Sequence, residues 1–145
     1  MKKQDILENQ VNFAYLALGS NLGDKKNNLN KSIDLIQGEG IFIKKRSKFY
    51  ITKSWPNENF PNFINSIIFV KTKLNVSELF LKIKKIEKKL GRTKSKRNHP
   101  RICDIDIIDF NGEIIHRKLG NHKLNIPHKR MHNRNFVLFP LYELD

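Results

Sequence analysis

Phe13-Ala14-Tyr15-Leu16-Ala17-Leu18-Gly19 runs without a charged or amide side chain until the glycine that ends it. So short and so apolar a run reads as a strand buried on both faces, at the centre of a sheet. Downstream, Asp24 can cap a helix that carries Leu29, Ile33 and Ile36 on one face and closes at Gly38. Ile41 to Tyr50 reads as a strand broken by lysines, and Phe63 to Thr72 as a stronger one, rich in Ile, Val and Phe. Between them lies a loop, Ile51 to Asn62, holding Pro56 and Pro61. Ser77 to Leu90 sets Leu79, Ile83, Ile86 and Leu90 at helical spacing, with Ser77 as the expected cap and Gly91 as the stop.

Cys103 to Phe110 is the next strand, and Asn111-Gly112 before Glu113-Ile114-Ile115 predicts a hairpin turn. The order strand, helix, strand, strand, helix, strand predicts an α+β fold, a ferredoxin-like antiparallel sheet with helices packed on one face. An added hairpin and a short C-terminal helix, Asn133 to Leu144, complete the expectation of a single domain over residues 12–145. Residues 1–11 read as a disordered or frayed extension.

The chain has 145 residues, of which 39% are hydrophobic, enough for one core. No apolar stretch approaches the roughly 20 residues of a membrane span, and the mixed charges of Met1 to Gln10 do not make a signal peptide. A lone cysteine, Cys103, excludes an internal disulfide and a paired-thiol metal site, which favours a reducing, cytoplasmic compartment. The formal charge of +14 favours polyanions, whether nucleic acid or a nucleoside triphosphate, although much of it is lysine that a solvated surface would carry anyway.

Asp104-Ile105-Asp106 is the segment richest in chemistry. Strand alternation puts both carboxylates on one face, their Cα atoms about 7 Å apart, while Cys103, Ile105 and Ile107 turn to the core. Two such acids suit a hard cation such as Mg²⁺, though a half-exposed strand can also carry two merely solvated acids. Arg92, Arg97 and Arg101 precede them in a segment, Arg92 to Arg101, whose only apolar residue is Pro100 and which is therefore expected to be an exposed basic loop; His128 follows after Pro127. Cations beside metal-binding acids suit phosphoryl transfer, where catalysis is chiefly alignment and neutralisation of phosphate charge. Phe63 and Asn65 share a strand face, an aromatic platform beside an amide that could stack a flat heterocycle and read its edge. Phe136 could supply the opposite wall or belong to the core. Gly19-Ser20-Asn21-Leu22-Gly23 lacks the Lys-Ser/Thr of a P-loop and reads as a structural turn.

Taken in order, these segments resemble the 6-hydroxymethyl-7,8-dihydropterin pyrophosphokinases. The resemblance runs from Ala14 to Leu144 through Ala14 to Gly23, Phe60-Pro61-Asn62-Phe63-Ile64-Asn65, Ile86-Glu87 with Gly91-Arg92, Pro100 to Ile107, and Pro127-His128 with Met131, Asn133-Arg134 and Phe136. It implies transfer of the pyrophosphoryl group of MgATP to the hydroxymethyl group of the dihydropterin, with release of AMP, in folate biosynthesis. By that resemblance Asp104 and Asp106 hold two Mg²⁺ ions, and Arg92 and Arg101 belong to a catalytic loop that closes over the triphosphate. Phe63 and Phe136 sandwich the pterin, while Asn65 and the backbone from Thr52 through Lys53 to Trp55 meet its polar edge. Lys84, Glu87, Arg92, Arg101, Ile107, Lys123, Asn125, His128, Lys129 and Arg134 fall where the family lines its ATP site. The loop is one residue shorter than in well-known members, and Asn98 stands where many carry Trp. Lys53 takes a usual proline position and Lys129 a usual aromatic one.

The substrates implied are two small molecules, with neither nucleic acid nor membrane as partner and a monomer as the expected state. An RNA recognition motif would share the element order and the charge, but its third strand should carry an aromatic-rich signature that Phe63 to Val70 does not match.

Overall fold

The computed structural model describes residues 10–54, 56–91 and 100–127. The elements are β1 (Asn12–Ser20), α1 (Lys25–Gly38), β2 (Phe42–Arg46), β3 (Tyr50–Thr52), β4 (Phe63–Thr72), α2 (Val76–Lys89), β5 (Asp104–Phe110), β6 (Ile115–Leu119) and β7 (His122–Ile126). The main sheet has the order β2-β4-β1-β5, with β3 pairing beside β2 on the same edge of β4, and every pairing is antiparallel. This is the ferredoxin-like order expected. The apolar run around Leu16 is indeed central, flanked by β4 on one side and β5 on the other.

Both helices press on one face of the sheet. Leu29, Ile33 and Ile36 of α1 and Leu79, Ile83 and Ile86 of α2 join Leu16, Leu18, Ile68, Val70, Ile105 and Ile107 in one buried cluster. Each fully buried Leu or Ile contributes roughly 1.5–3 kcal/mol, against about 1 kcal/mol for a cap. Burial therefore fixes where α2 sits, and the cap only where it begins. That cap is Asn75 rather than Ser77: its side chain accepts from the Glu78 backbone at 2.9 Å while Glu78 accepts from the Asn75 backbone at 3.0 Å, a reciprocal box that Ser77, two residues later, does not form. Asp24 caps α1 as expected, but the helix runs through Gly38, and the left-handed residue that follows is Gly40 (φ 78°). Gly91 (φ 89°) ends α2 as read.

Two strand expectations change. Ile41 to Tyr50 is not continuous: β2 stops at Arg46 and β3 starts at Tyr50. Across the break Ser47 stands in for the ladder, its N–H donating to the Ile67 carbonyl and its hydroxyl accepting from the Ile67 N–H, both at 2.9 Å. Nor does Asn111-Gly112 make a hairpin. Its left-handed Asn111 (φ 54°) turns the chain, but the Asn111 N–H donates to the Phe13 carbonyl and its side chain accepts from the Phe13 N–H, so the turn is tied to β1. The added hairpin is β6–β7, closed by Gly120-Asn121 with Gly120 at φ 59°. The expected basic loop lies outside the described residues from 92 to 99, as do the C-terminal helix and residues 1–9 of the expected extension. Among the described residues no helix is long and apolar enough to cross a membrane.

Candidate active site

The outer face of the sheet, opposite the helices, organises the site by register. Gly19 of β1 is paired with Asn65 of β4 on one side and with Asp104 of β5 on the other; Ala17 is likewise paired with Ile67 and Asp106. Directly paired residues share a face, so Asn65, Gly19 and Asp104 form one transverse row and Ile67, Ala17 and Asp106 the next. Asp104 and Asp106 are half-buried while Ile105 between them is buried, the alternation expected of them.

The middle of the first row is a notch. A Cβ added at Gly19 would lie 2.9 Å from Asn65 Oδ1 and 3.3 Å from the Phe63 ring, so glycine leaves the Phe63 platform and the Asn65 amide open to each other. Asn65 Nδ2 is committed to the protein, donating to Thr52 Oγ1 at 2.8 Å and to the Tyr50 carbonyl at 3.4 Å. That fixes the amide with Oδ1 turned to the notch as an acceptor. Thr52 thus orients Asn65 from β3, and Lys53 beside it is exposed.

On the other side of β5 lies a cleft of about 170 Å³ between α2, β5 and β7, lined by Phe80, Ile83 and Lys84, by Ile105, Asp106 and Ile107, and by His122, Lys123, Leu124 and Asn125. Four residues that the resemblance assigns to an ATP site, Lys84, Ile107, Lys123 and Asn125, therefore converge with Asp106. Lys84 Nζ lies 5.3 Å from the centre of the Phe80 ring, and Asn125 Oδ1 meets His116 Nδ1 at 2.8 Å.

Glu87 stands apart from this lining. It is 2% exposed, and its carboxylate accepts from the Ile105 N–H at 3.0 Å and from Lys84 Nζ at 3.1 Å. A buried carboxylate needs such partners. It therefore clamps the peptide between the two aspartates to α2. Its position four residues after Ile83, on the face the helix buries, was the sequence signal for this tie.

Arg101 Nη1 lies 3.3 Å from Asp104 Oδ2. Its backbone is held by a residue the sequence reading left to a structural turn: fully buried Asn21 accepts the Arg101 N–H on Oδ1 at 2.8 Å, donates its own N–H to the Arg101 carbonyl at 3.2 Å, and donates Nδ2 to the Pro61 carbonyl at 3.3 Å. The turn after β1 is structural as read, and it also joins the arginine to the loop leading into Phe63. Trp55, Arg92, His128, Lys129, Arg134 and Phe136 lie outside the described residues.

A notch at Gly19, two acids on one strand face and a cleft beyond them make up the candidate site. The sequence model of the 7,8-dihydro-6-hydroxymethylpterin-pyrophosphokinase (HPPK) family matches residues 15–145. The 2-amino-4-hydroxy-6-hydroxymethyldihydropteridine pyrophosphokinase of Aquifex aeolicus is 41% identical over 131 residues, 90% of this chain and 79% of that protein. The Bacillus subtilis protein of the same name is 40% identical over 134 residues, 92% of this chain and 78% of its own length. In fold, the chain is similar to wild-type Plasmodium falciparum HPPK-DHPS crystallised with pterin and p-hydroxybenzoate, at a TM-score of 0.71 and 18% identity, over 92% of this chain and 38% of that one. With the family's pattern matched from Tyr15 to Asp145 and bacterial relatives alike over nine-tenths of the chain, this protein belongs to the 7,8-dihydro-6-hydroxymethylpterin-pyrophosphokinase family.

Proposed function

We propose that this chain transfers the pyrophosphoryl group of MgATP to the hydroxymethyl group of 6-hydroxymethyl-7,8-dihydropterin, releasing AMP, as a step of folate biosynthesis. The observation that carries the reading is that Asp104 stands in the row of the Phe63–Asn65 notch while Asp106, on the same strand face, lines the cleft beyond. The pterin stacks on Phe63 and presents ring N–H groups to Asn65 Oδ1, with Thr52, Lys53, Trp55 and Phe136 completing its site. The cleft is smaller than the roughly 300–1,000 Å³ of a whole-ligand pocket, so it takes part of the nucleotide. Lys84, Ile107, Lys123 and Asn125 line it, with Arg92, His128, Lys129 and Arg134 as further contacts and Glu87 acting through β5.

The donor set fits Mg²⁺. Among the described residues no group of three or more His, Cys, Asp or Glu gathers, so a site for Zn²⁺ or a full oxygen cage for Ca²⁺ is not formed by them, whereas Mg²⁺ takes one or two carboxylates plus phosphate and water. Asp104 and Asp106 would hold it, two ions being expected with ATP, and its charge would neutralise the phosphate oxygens. In the reaction the hydroxymethyl oxygen bonds to the β-phosphorus, the bond from that phosphorus to the bridging oxygen of AMP breaks, and the hydroxyl proton passes to solvent. Arg101, held by Asn21 and paired with Asp104, positions the triphosphate together with Arg92. The active unit spans residues 12–145 and works as a cytoplasmic monomer, with neither nucleic acid nor membrane as partner.

The test is AMP formation from MgATP with and without the hydroxymethyl dihydropterin. Pterin-dependent AMP is expected, and Asp106→Ala should lower it by about 10²–10³-fold or more with little change in melting temperature, since this side chain is only half-buried. Salt-sensitive RNA binding without AMP formation would replace this reading by that of an RNA-binding module.

A further inference from the structure

We infer that the hydroxyl of Ser54 donates a hydrogen bond to an acceptor on the polar edge of the flat ring substrate, a carbonyl oxygen or an unprotonated ring nitrogen. The inference rests on the function just proposed and adds a side-chain contact to it. Ser54 is 2% exposed, and its Oγ is, among the described residues, the buried side-chain polar atom left without a partner. Other hydroxyls inside the protein are satisfied: Ser32 Oγ donates to the Asn28 carbonyl at 2.7 Å, Ser47 Oγ meets Ser66 Oγ at 3.2 Å, and Thr72 Oγ1 accepts from the Leu74 N–H at 3.1 Å. Folded proteins leave few such groups unpaired, because the desolvated hydroxyl recovers nothing for the water it loses.

Position gives the orphan its purpose. Thr52 is half-buried, Lys53 exposed and Ser54 buried, so the chain turns a side chain inward again just past the end of β3. At that end of β3 Thr52 Oγ1 receives Asn65 Nδ2 at 2.8 Å. With its nitrogen so committed, Asn65 offers the notch an acceptor and no donor. A planar heterocycle edge that alternates N–H groups with carbonyl or imine acceptors needs both. Among the described residues the Ser54 hydroxyl is a donor without a partner, two residues along the chain from the group that orients Asn65.

Ser54→Ala removes the hydroxyl and leaves the fold intact. Measured as pterin-dependent AMP release, the variant should show a KM for the dihydropterin raised about 3- to 10-fold, with the KM for ATP and kcat within about twofold of wild type. Its melting temperature without ligand should equal or exceed that of wild type, because an unsatisfied buried group has been deleted. An unchanged KM for the dihydropterin, whatever the melting temperature, overturns the inference while wild-type AMP formation leaves the parent reading standing. A lower melting temperature with both KM values raised assigns Ser54 a structural role and also overturns it. Absence of AMP from the wild-type protein removes the parent reading and this one together.

Discussion

Asn21 and Arg101 are joined twice, the Arg101 N–H donating to Asn21 Oδ1 at 2.8 Å and the Asn21 N–H donating to the Arg101 carbonyl at 3.2 Å. The side chain of Asn21 also reaches the Pro61 carbonyl. Replacing it by alanine keeps the backbone bond and deletes the rest. Asn21→Ala should cost about 1–3 kcal/mol in a denaturant melt. Because loosening a positioning group by about 1 Å can cost about 10²-fold in rate, kcat should fall by about 10- to 100-fold. A variant destabilised to this extent with wild-type kcat would show that Arg101 is held elsewhere.

Gly19 is predicted to be a specificity position. Its added Cβ would press on Asn65 Oδ1 and the Phe63 ring. Overpacking of this kind costs about 1–3 kcal/mol, here divided between folding and the ring slot. Steady-state kinetics of Gly19→Ala should show the KM for the dihydropterin raised by about tenfold and that for ATP unchanged. Equal rises in both would place the strain outside the notch.

Glu87 and Lys84 touch each other yet should give different phenotypes. Glu87→Ala leaves the buried Ile105 N–H unpaired, for a loss of about 1–3 kcal/mol, and frees the peptide between the aspartates. Hydrogen exchange at the Ile105 amide should accelerate and kcat should drop. Lys84 is half-exposed at the cleft and its loss leaves the Ile105 bond in place, so Lys84→Ala should destabilise less than Glu87→Ala, through the partner Glu87 loses, and raise the KM for ATP. Matching melting temperatures in the two variants would contradict the clamp.

Glu39 carries a pH-dependent contribution. Hydrogen bonds from Lys82, at 3.0 Å, and then Lys85, at 3.3 Å, hold its carboxyl below the ordinary value of 4.5. A depressed folded-state pKa gives stability that is fully present above the unfolded value and is lost as pH falls through the folded one. The melting-temperature difference between wild type and Glu39→Gln should therefore be constant from pH 7 down to about 5 and should vanish well below 4.5. High salt should shrink it, because both lysines reach Glu39 from the solvent side. A difference undiminished in acid would mean that Glu39 acts by packing.

The elements that could be read from residues were those with a sustained apolar pattern. β1 and β4 are long apolar runs buried over most of their length, β5 alternates from Asp104 to Ile107, and both helices bury residues at helical spacing, so the sheet order followed. Three-residue β3 has no period to read, and the break before it lies where Ser47 bridges to Ile67. Asn111-Gly112 has the right residues for a hairpin, but the choice between β1 and β6 as a partner is made by tertiary contact. In the candidate site, the face shared by Asp104 and Asp106 and that shared by Phe63 and Asn65 were legible because strand alternation fixes faces. Asn21 was not, since its partner lies 80 residues away and an amide in a glycine turn has a sufficient local explanation. The orphaned Ser54 hydroxyl could be seen only once the other buried side chains among the described residues had found their mates.

In the proposed reading, the two rows across the sheet set the separation of the two substrates. Consecutive rows are one strand repeat apart, about 7 Å, and that length belongs to the extended peptide rather than to any side chain. A gauge between ring and nucleotide built this way would be as stiff as the backbone of β5, and no rotamer could retune it. Substitutions in the walls can alter what is gripped, but an inserted residue between Asp104 and Asp106 would turn one acid toward the core and dismantle the ruler itself.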